Sequence, residues 1–422
     1  MLFQTLSATT AEVFTYIGYV IVALIALMLM IIVHELGHYT AGKILGFRID
    51  EFAIGFGPAL FKHTNKKTGE AFTIRPLPIG GFCAFHGEDE DGKSDPTAFN
   101  NQKAWKRLIV LFSGAMMNFL SAIFIITIYF SAYGQILPTV LVSKDNVTAN
   151  QVFEAGDVIL SINGKQVNIM VPEDVDNAFA KVGNVAKFTV LRGGKTVKLE
   201  ATKGCYTPFA EGDFIESING EALLKPIPYS ELYLNPAVGD KTELKLVVVK
   251  YNEDGDVAMR TNVVVLKGIN ADEPSEWYSH GFGITRGLAR TKLPFFLAFE
   301  RSFSFCFFIV FKILASLGAL LTGQIGLESA GGTITVIGTI AQVSALGFDS
   351  FLYVVAIISA NLAVMNLLPL PALDGSRMVF TLIEMVFRKP VPRKIEAVIH
   401  TVGLVVLLLL AVFLDVFHLV HV

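Results

Sequence analysis

His34 and His38 stand four residues apart in His34-Glu35-Leu36-Gly37-His38, with a glutamate directly after the first of them. On an α-helix this spacing puts both imidazoles on one face, one turn apart, where they can reach a single zinc ion. Glu35 stands beside them, placed to hold a water and take its proton. The pattern supplies two ligands and a base. A catalytic zinc takes three protein ligands plus water, so one ligand must come from elsewhere.

The motif closes an unusually apolar helix. Between Glu12 and His34 lie 21 uncharged residues, enough at 1.5 Å per residue to cross a hydrocarbon core of about 30 Å. Ionisable groups at the end of such a helix are costly in lipid, which makes a functional role their default reading. No H-E-x-x-H-x-x-G-x-x-H follows downstream. The sequence offers instead Asn366-Leu367-Leu368-Pro369-Leu370-Pro371-Ala372-Leu373-Asp374-Gly375, at the end of another apolar run. Its two prolines interrupt helical hydrogen bonding and leave Asp374 available inside a bundle.

The composition suits that picture. The chain has 422 residues, 53% hydrophobic and 17% charged, with a mean hydropathy of +0.56. This describes a multi-spanning membrane protein with a soluble part. A net charge of −3 excludes the basic footprint of a nucleic-acid binder. Cys83, Cys205 and Cys306 are too scattered for a zinc knuckle or a disulfide framework. Cys205 reads as a buried free thiol. The first residues carry no Lys or Arg, unlike the start of a secretory signal peptide.

Four segments read as spans: Val13 to about Ala41, Leu108 to about Tyr133, Ser350–Leu373 and Ala397–Leu414; hydropathy alone would add residues 295–321 as a fifth. Residues 39–107 carry ten Lys and Arg, and residues 375–396 five more. Both loops are therefore expected in the cytoplasm, which puts Asp374 at the depth of His34 and His38. With that parity, residues 295–321 cannot cross. Glu300, Arg301 and Lys312 interrupt their apolar run, as in an amphipathic helix at the outer interface. The Gly/Thr-rich stretch after it reads as a re-entrant or loop segment.

Between the first two spans, FRIDEFAIGFGPALF and EAFTIRPLPIGGFCAF read as strands joined by a polar turn. The long outer segment holds an internal repeat. Gly156-Asp157-Val158-Ile159-Leu160-Ser161-Ile162-Asn163-Gly164 recurs 56 residues later as Gly212-Asp213-Phe214-Ile215-Glu216-Ser217-Ile218-Asn219-Gly220. The signature G-D-x-I-x-x-I-N-G resembles PDZ domains. The expected fold is a polytopic α-helical membrane protein with four transmembrane helices, a small membrane-associated β-sheet and two β-rich PDZ-like domains. Its parts are helix 1 (1–45), a cytoplasmic β region with an interfacial helix (46–107) and helix 2 (108–133). PDZ-like domains (134–204 and 205–280) and an outer-face segment (281–348) come next. Helix 3 (349–375), a cytoplasmic loop (376–396) and helix 4 (397–416) complete the chain.

Taken together, HELGH in the first span, the EFAIGFGP and PLPIGG strands, the paired modules and NLLPLPALDG resemble the site-2 protease family of intramembrane metalloproteases. The order of elements is similar to its bacterial RseP-like branch. The resemblance covers nearly the whole chain. It implies one Zn2+ per chain held by His34, His38 and Asp374, with Glu35 as general base. It implies that Asn366 and Asn361 hold the substrate backbone, and that the strand around Gly80, Gly81 and Phe82 pairs with unwound substrate. It implies a bacterial inner membrane location, with periplasmic PDZ-like domains and the active site near the cytoplasmic side. Its substrates would be transmembrane helical proteins, pre-trimmed and single-pass, such as anti-sigma factors and signal-peptide remnants, cut in regulated intramembrane proteolysis. The chain departs from the family pattern at Gly332-Thr333-Ile334, where relatives usually carry Gly-Pro-Ile.

Two other classes compete. One is a membrane-anchored zinc peptidase acting on soluble or unfolded proteins, and the other a catalytically silent PDZ adaptor. Ser113, Gly114, Ala115 and Asn118 read as helix-packing residues. His63, His86, His400, His418 and His421 lack ligand spacing and read as surface or packing residues.

Overall fold

A computed structural model describes residues 10–88, 95–144 and 153–421, except 155, 172, 181, 184, 203–212, 229–230, 232–234, 236–242, 253, 267–284 and 328–329. Cys205 and Gly212 lie outside the described residues. The chain forms two units, Met1–Thr127 with Phe305–Val422, and Ile128–Ser304.

The first unit is built on α1 (Thr10–Leu45), 36 residues long and uncharged between Glu12 and His34. After it come β1 (Ile49–Phe56), β2 (Phe61–Thr64), β3 (Ala71–Ile74) and β4 (Leu77–Phe85). They make a sheet in the order β2-β3-β1-β4, parallel only between β1 and β3. Phe52 pairs with Cys83, Ala53 with Phe82 and Ile54 with Gly81, so β4 is an edge strand among the described residues. The sheet is anchored by buried Phe47, Ile49, Phe85 and Phe99, which pack on Val110 and Leu111 of α2 (Ala104–Ala132).

α5 (Thr333–Leu346) and α6 (Phe348–Leu367) gather on α1. Ala23 of α1 packs against Ile340 and Ala341 of α5. Ala26 and Met30 pack against Val355 of α6. Alanines at the contacts let these backbones approach closely. α7 (Asp374–Phe387) and α8 (Arg393–His421) follow. The Gly332-Thr333-Ile334 departure falls at the start of α5, where Asp415 of α8 caps the helix. Its carboxylate accepts the Ile334 and Thr335 backbone N–H groups at 3.0 and 2.9 Å. A proline at Thr333 would have no N–H to satisfy; here the first free amides are met from across the bundle.

In the second unit, among the described residues, strands pair in the order β11-β10-β12-β13-β5-β6-β8-β9. These are β5 (Gln135–Lys144), β6 (Val158–Ile162), β8 (Val185–Arg192), β9 (Lys195–Thr202), β10 (Asp213–Ile218), β11 (Glu221–Pro228), β12 (Glu243–Tyr251) and β13 (Val257–Leu266). The short β7 (Lys165–Gln166) pairs with β6, and β14 (Thr285–Thr291) with β5. The repeat is structural as well as textual. Asn163 and Asn219 sit at φ 51° and 53°, each followed by a glycine at positive φ. Each Asn side chain accepts a backbone N–H from the neighbouring strand, Lys187 at 2.9 Å and Lys245 at 3.0 Å. Asn tolerates the left-handed region because its short polar side chain bonds locally. In the first copy, α3 (Glu173–Ala180) closes a core of Ile159, Val175, Phe179, Phe188 and Val190.

Among the described residues, five helices are long and apolar enough to cross a membrane, against the four expected. The additional one is α4 (Phe295–Leu321). Its charges, which suggested an interfacial helix, are occupied within the protein. Arg301 is 1% exposed. Its guanidinium donates to Gln135 Oε1 at 2.6 Å, Leu160 O at 2.7 Å and Val167 O at 2.5 Å. Gln166 donates to Glu300 at 3.1 Å, and the Lys312 ammonium lies 5.3 Å from the Phe308 ring centre. A charge bonded inside the protein carries no information about water at that depth. Arg301→Leu strands three buried acceptors, so it is expected to destabilise the second unit by on the order of 3–5 kcal/mol. Limited proteolysis and thermal unfolding of purified protein check this.

Candidate active site

His34 and His38 lie on one face of α1, 8% and 7% exposed. Their Nε2 atoms are 3.1 Å apart. The α6–α7 turn brings Asp374 onto them from 340 residues away, its Oδ2 lying 3.0 Å from His34 Nε2 and 3.2 Å from His38 Nε2. Among the described residues, these three form the cluster of ligand-type side chains able to hold a metal ion. A tetrahedral zinc with bonds of about 2.0–2.2 Å holds its ligand atoms roughly 3.3–3.5 Å apart. The three donors already stand within a few tenths of an ångström of that separation, so they fit the ion.

Neighbouring elements orient the rings. His38 Nδ1–H donates to Val110 O of α2 at 2.8 Å, which leaves the Nε2 lone pair facing the centre. The Asn366 carboxamide of α6 lies 3.5 Å from His34 Nδ1. The two rings meet edge to face, with centroids 4.8 Å apart.

Two glycines make room. A Cβ on Gly114 of α2 would stand 2.6 Å from His38 Cε1 and 2.8 Å from His34 Cε1. A Cβ on Gly37 would stand 2.8 Å from the Ser113 carbonyl carbon. The glycine of HELGH thus lets α1 and α2 touch backbone to backbone, and Gly114 forms the wall against which both imidazoles rest.

Glu35 occupies the neighbouring face, towards β4. The Cys83 backbone N–H is directed at its carboxylate, and a Cβ on Gly81 would lie 3.7 Å from Glu35 Cγ. Burial and nearby carboxylates push the Cys83 thiol above its ordinary range, which keeps it protonated and poorly nucleophilic.

Of the sequence-predicted residues, the structure brings together His34, Glu35, His38, Asp374, Asn366 and Gly81. Gly80 is packed under the Phe56 ring, which stacks with Phe82 at a centroid distance of 6.3 Å. Asn361 is exposed on α6. Sequence reasoning missed Val110 and the positional role of Gly114. The small residues Ser113, Gly114 and Ala115 marked a close helix contact, and nothing local marked its partner.

The match to peptidase family M50 runs over residues 22–410 and so contains every residue of this cluster. The chain belongs to peptidase family M50. This is the site-2 protease family, and its members are zinc metalloproteases. A protein of Clostridium perfringens named as a zinc metalloprotease is 29% identical over 94% of this chain and 97% of its own length. Similarly named proteins of Agrobacterium fabrum and Vibrio cholerae are 25% and 26% identical. They cover 94% and 90% of this chain and 94% and 93% of their own lengths. This M50 protein is thus a metalloprotease carrying several long apolar helices beside its β-sheets.

Proposed function

We propose that this protease hydrolyses peptide bonds within transmembrane segments, with His34, His38 and Asp374 as the zinc ligands and Glu35 as general base. The observation that carries the proposal is the depth of the cluster. His34 and His38 stand inside the apolar span Val13–Leu45, Asp374 meets both within 3.2 Å just past the end of α6, and the adjacent Glu35 faces an edge strand of the sheet.

A substrate helix hides its peptide bonds in internal hydrogen bonds, so it must unwind before attack. An unwound segment in lipid needs partners for its backbone groups. The free edge of β4 offers them by strand addition, running past Gly80, Gly81 and Phe82. Bound zinc supplies Lewis-acid polarisation of the scissile carbonyl and acidifies water. Glu35 takes the proton of the attacking water and passes it to the leaving amine. Asn361 and Asn366 serve the substrate backbone. For Asn366 this role is combined with orienting His34, which its 3.5 Å contact supports.

The basic loops favour a cytoplasmic position for the zinc site and a place outside the bacterial inner membrane for the β-rich second unit, an orientation in which α4 does not cross although it is long and apolar enough to do so. The two β modules, PDZ-like in signature, would then screen substrates whose outer domains have been trimmed, as in regulated intramembrane proteolysis of anti-sigma factors or removal of signal-peptide remnants. The test reconstitutes the protease in liposomes with a single-pass substrate and, separately, supplies the same sequence as a soluble peptide. Cleavage of the embedded helix, abolished by a zinc chelator, is expected. Cleavage of the soluble peptide alone would replace the proposal with a membrane-anchored peptidase for soluble proteins.

A further inference from the structure

Asp374 is carried by a turn with little internal support. α6 ends at Leu367, and Pro369 and Pro371 have no N–H to donate. Within the turn, Leu370 N–H donates to Leu368 O at 2.7 Å and Leu373 N–H to Leu370 O at 3.2 Å. Ala372 stands between them at φ 70°, a left-handed conformation that a residue with a Cβ rarely adopts. Something outside the turn must hold it there.

That support comes from α8. The Ala372 backbone N–H donates to His400 Nδ1 at 3.0 Å. Three residues along the same face of α8, Gly403 lies under Pro371, where an added Cβ would stand 3.2 Å from Pro371 Cα. The His400 ring is itself held edge-on by Phe380 of α7, with centroids 5.8 Å apart. As acceptor at Nδ1, the ring is neutral and carries its proton on Nε2. Gly375, just past the ligand, is buried so closely that a Cβ there would lie 2.5 Å from Leu367 O. The turn is pinned at Pro371, Ala372 and Gly375, on both sides of Asp374.

We infer that His400 is a positioning residue for the third metal ligand, fixing Asp374 through the Ala372 amide. The inference rests on the reading of Asp374 as a zinc ligand. His400 is not part of the His34–His38–Asp374 cluster, so its part is to position and not to bind.

The experiment uses full-length protein in detergent, stripped of metal and titrated with cobalt(II) against a competing chelator. His400→Phe keeps the ring against Phe380 and removes the acceptor. His400→Asn restores an oxygen near the place of Nδ1, whereas His400→Gln carries its oxygen farther out, near the place of Nε2. The Phe and Gln variants are expected to bind cobalt about 10–100-fold more weakly, the usual cost of losing a residue that orients a ligand, and Asn to recover most of the affinity. In the metal-free protein, amide exchange of the peptide spanning residues 368–375 should quicken in the Phe and Gln variants and not in Asn. If the Phe variant is not recovered folded, the Asn–Gln pair makes the same comparison. Wild-type affinity in the Phe or Gln variant, or an Asn variant as weak as Gln, overturns the inference. His34→Ala is the separate control: cobalt binding unaffected by it would overturn the metal-centre assignment itself and the inference with it.

Discussion

Glu35→Gln is expected to retain one zinc per chain and to lose about 10²–10⁴-fold in cleavage rate, the range for removing a general base. The separation of the two effects is what makes the variant informative. Gln has the shape of Glu and can accept the Cys83 N–H that is directed at Glu35, yet it cannot take a proton from water at neutral pH. The three atoms proposed to bind the ion belong to other residues, so metal content, measured by atomic absorption, should be unchanged. Asp374→Ala should do the opposite and release the ion. A Glu35→Gln variant that cuts an embedded substrate at the wild-type rate would refute the mechanism.

Gly114→Ala is expected to weaken metal binding by about 10–100-fold with a corresponding loss of activity. The added Cβ would stand 2.6 Å from His38 Cε1 and 2.8 Å from His34 Cε1. Neither ring can give way freely, because His38 is tied to Val110 O and His34 lies between Asn366 and Asp374. Overpacking a filled site costs about 1–3 kcal/mol, and about 1.4 kcal/mol is a tenfold change in affinity. Gly18, on α1, is the matched control, since an added Cβ there meets nothing within 4 Å. Gly18→Ala should be neutral or slightly stabilising, because Ala is the better helix former by up to about 1 kcal/mol. Equal metal affinity in Gly114→Ala and wild type, by chelator competition, would show that α2 is not the wall of the site.

The sequence by itself determined what depends on short spacings. Two histidines one helical turn apart share a face whatever surrounds them. Likewise Asn-Gly after a strand makes the same turn at Asn163 and Asn219, because the φ angles are a local matter. The turn that carries Asp374 was also marked, since two prolines close an apolar run just before it; that it meets the histidines was decided by the fold.

The tertiary structure decided what depends on neighbours. Arg301 in an apolar helix reads the same whether water or a buried carbonyl receives its protons; only the second unit's Leu160 and Val167 carbonyls distinguish the cases. Gly114 and His400 have no periodic partner either, because a single contact between distant helices leaves no repeat in either strand of sequence. HELGH began as half of a site. The fold brings Asp374 onto its two histidines as the proposed third ligand, and α2 and α8 supply the positions, through a glycine that admits two rings and a histidine that holds a turn.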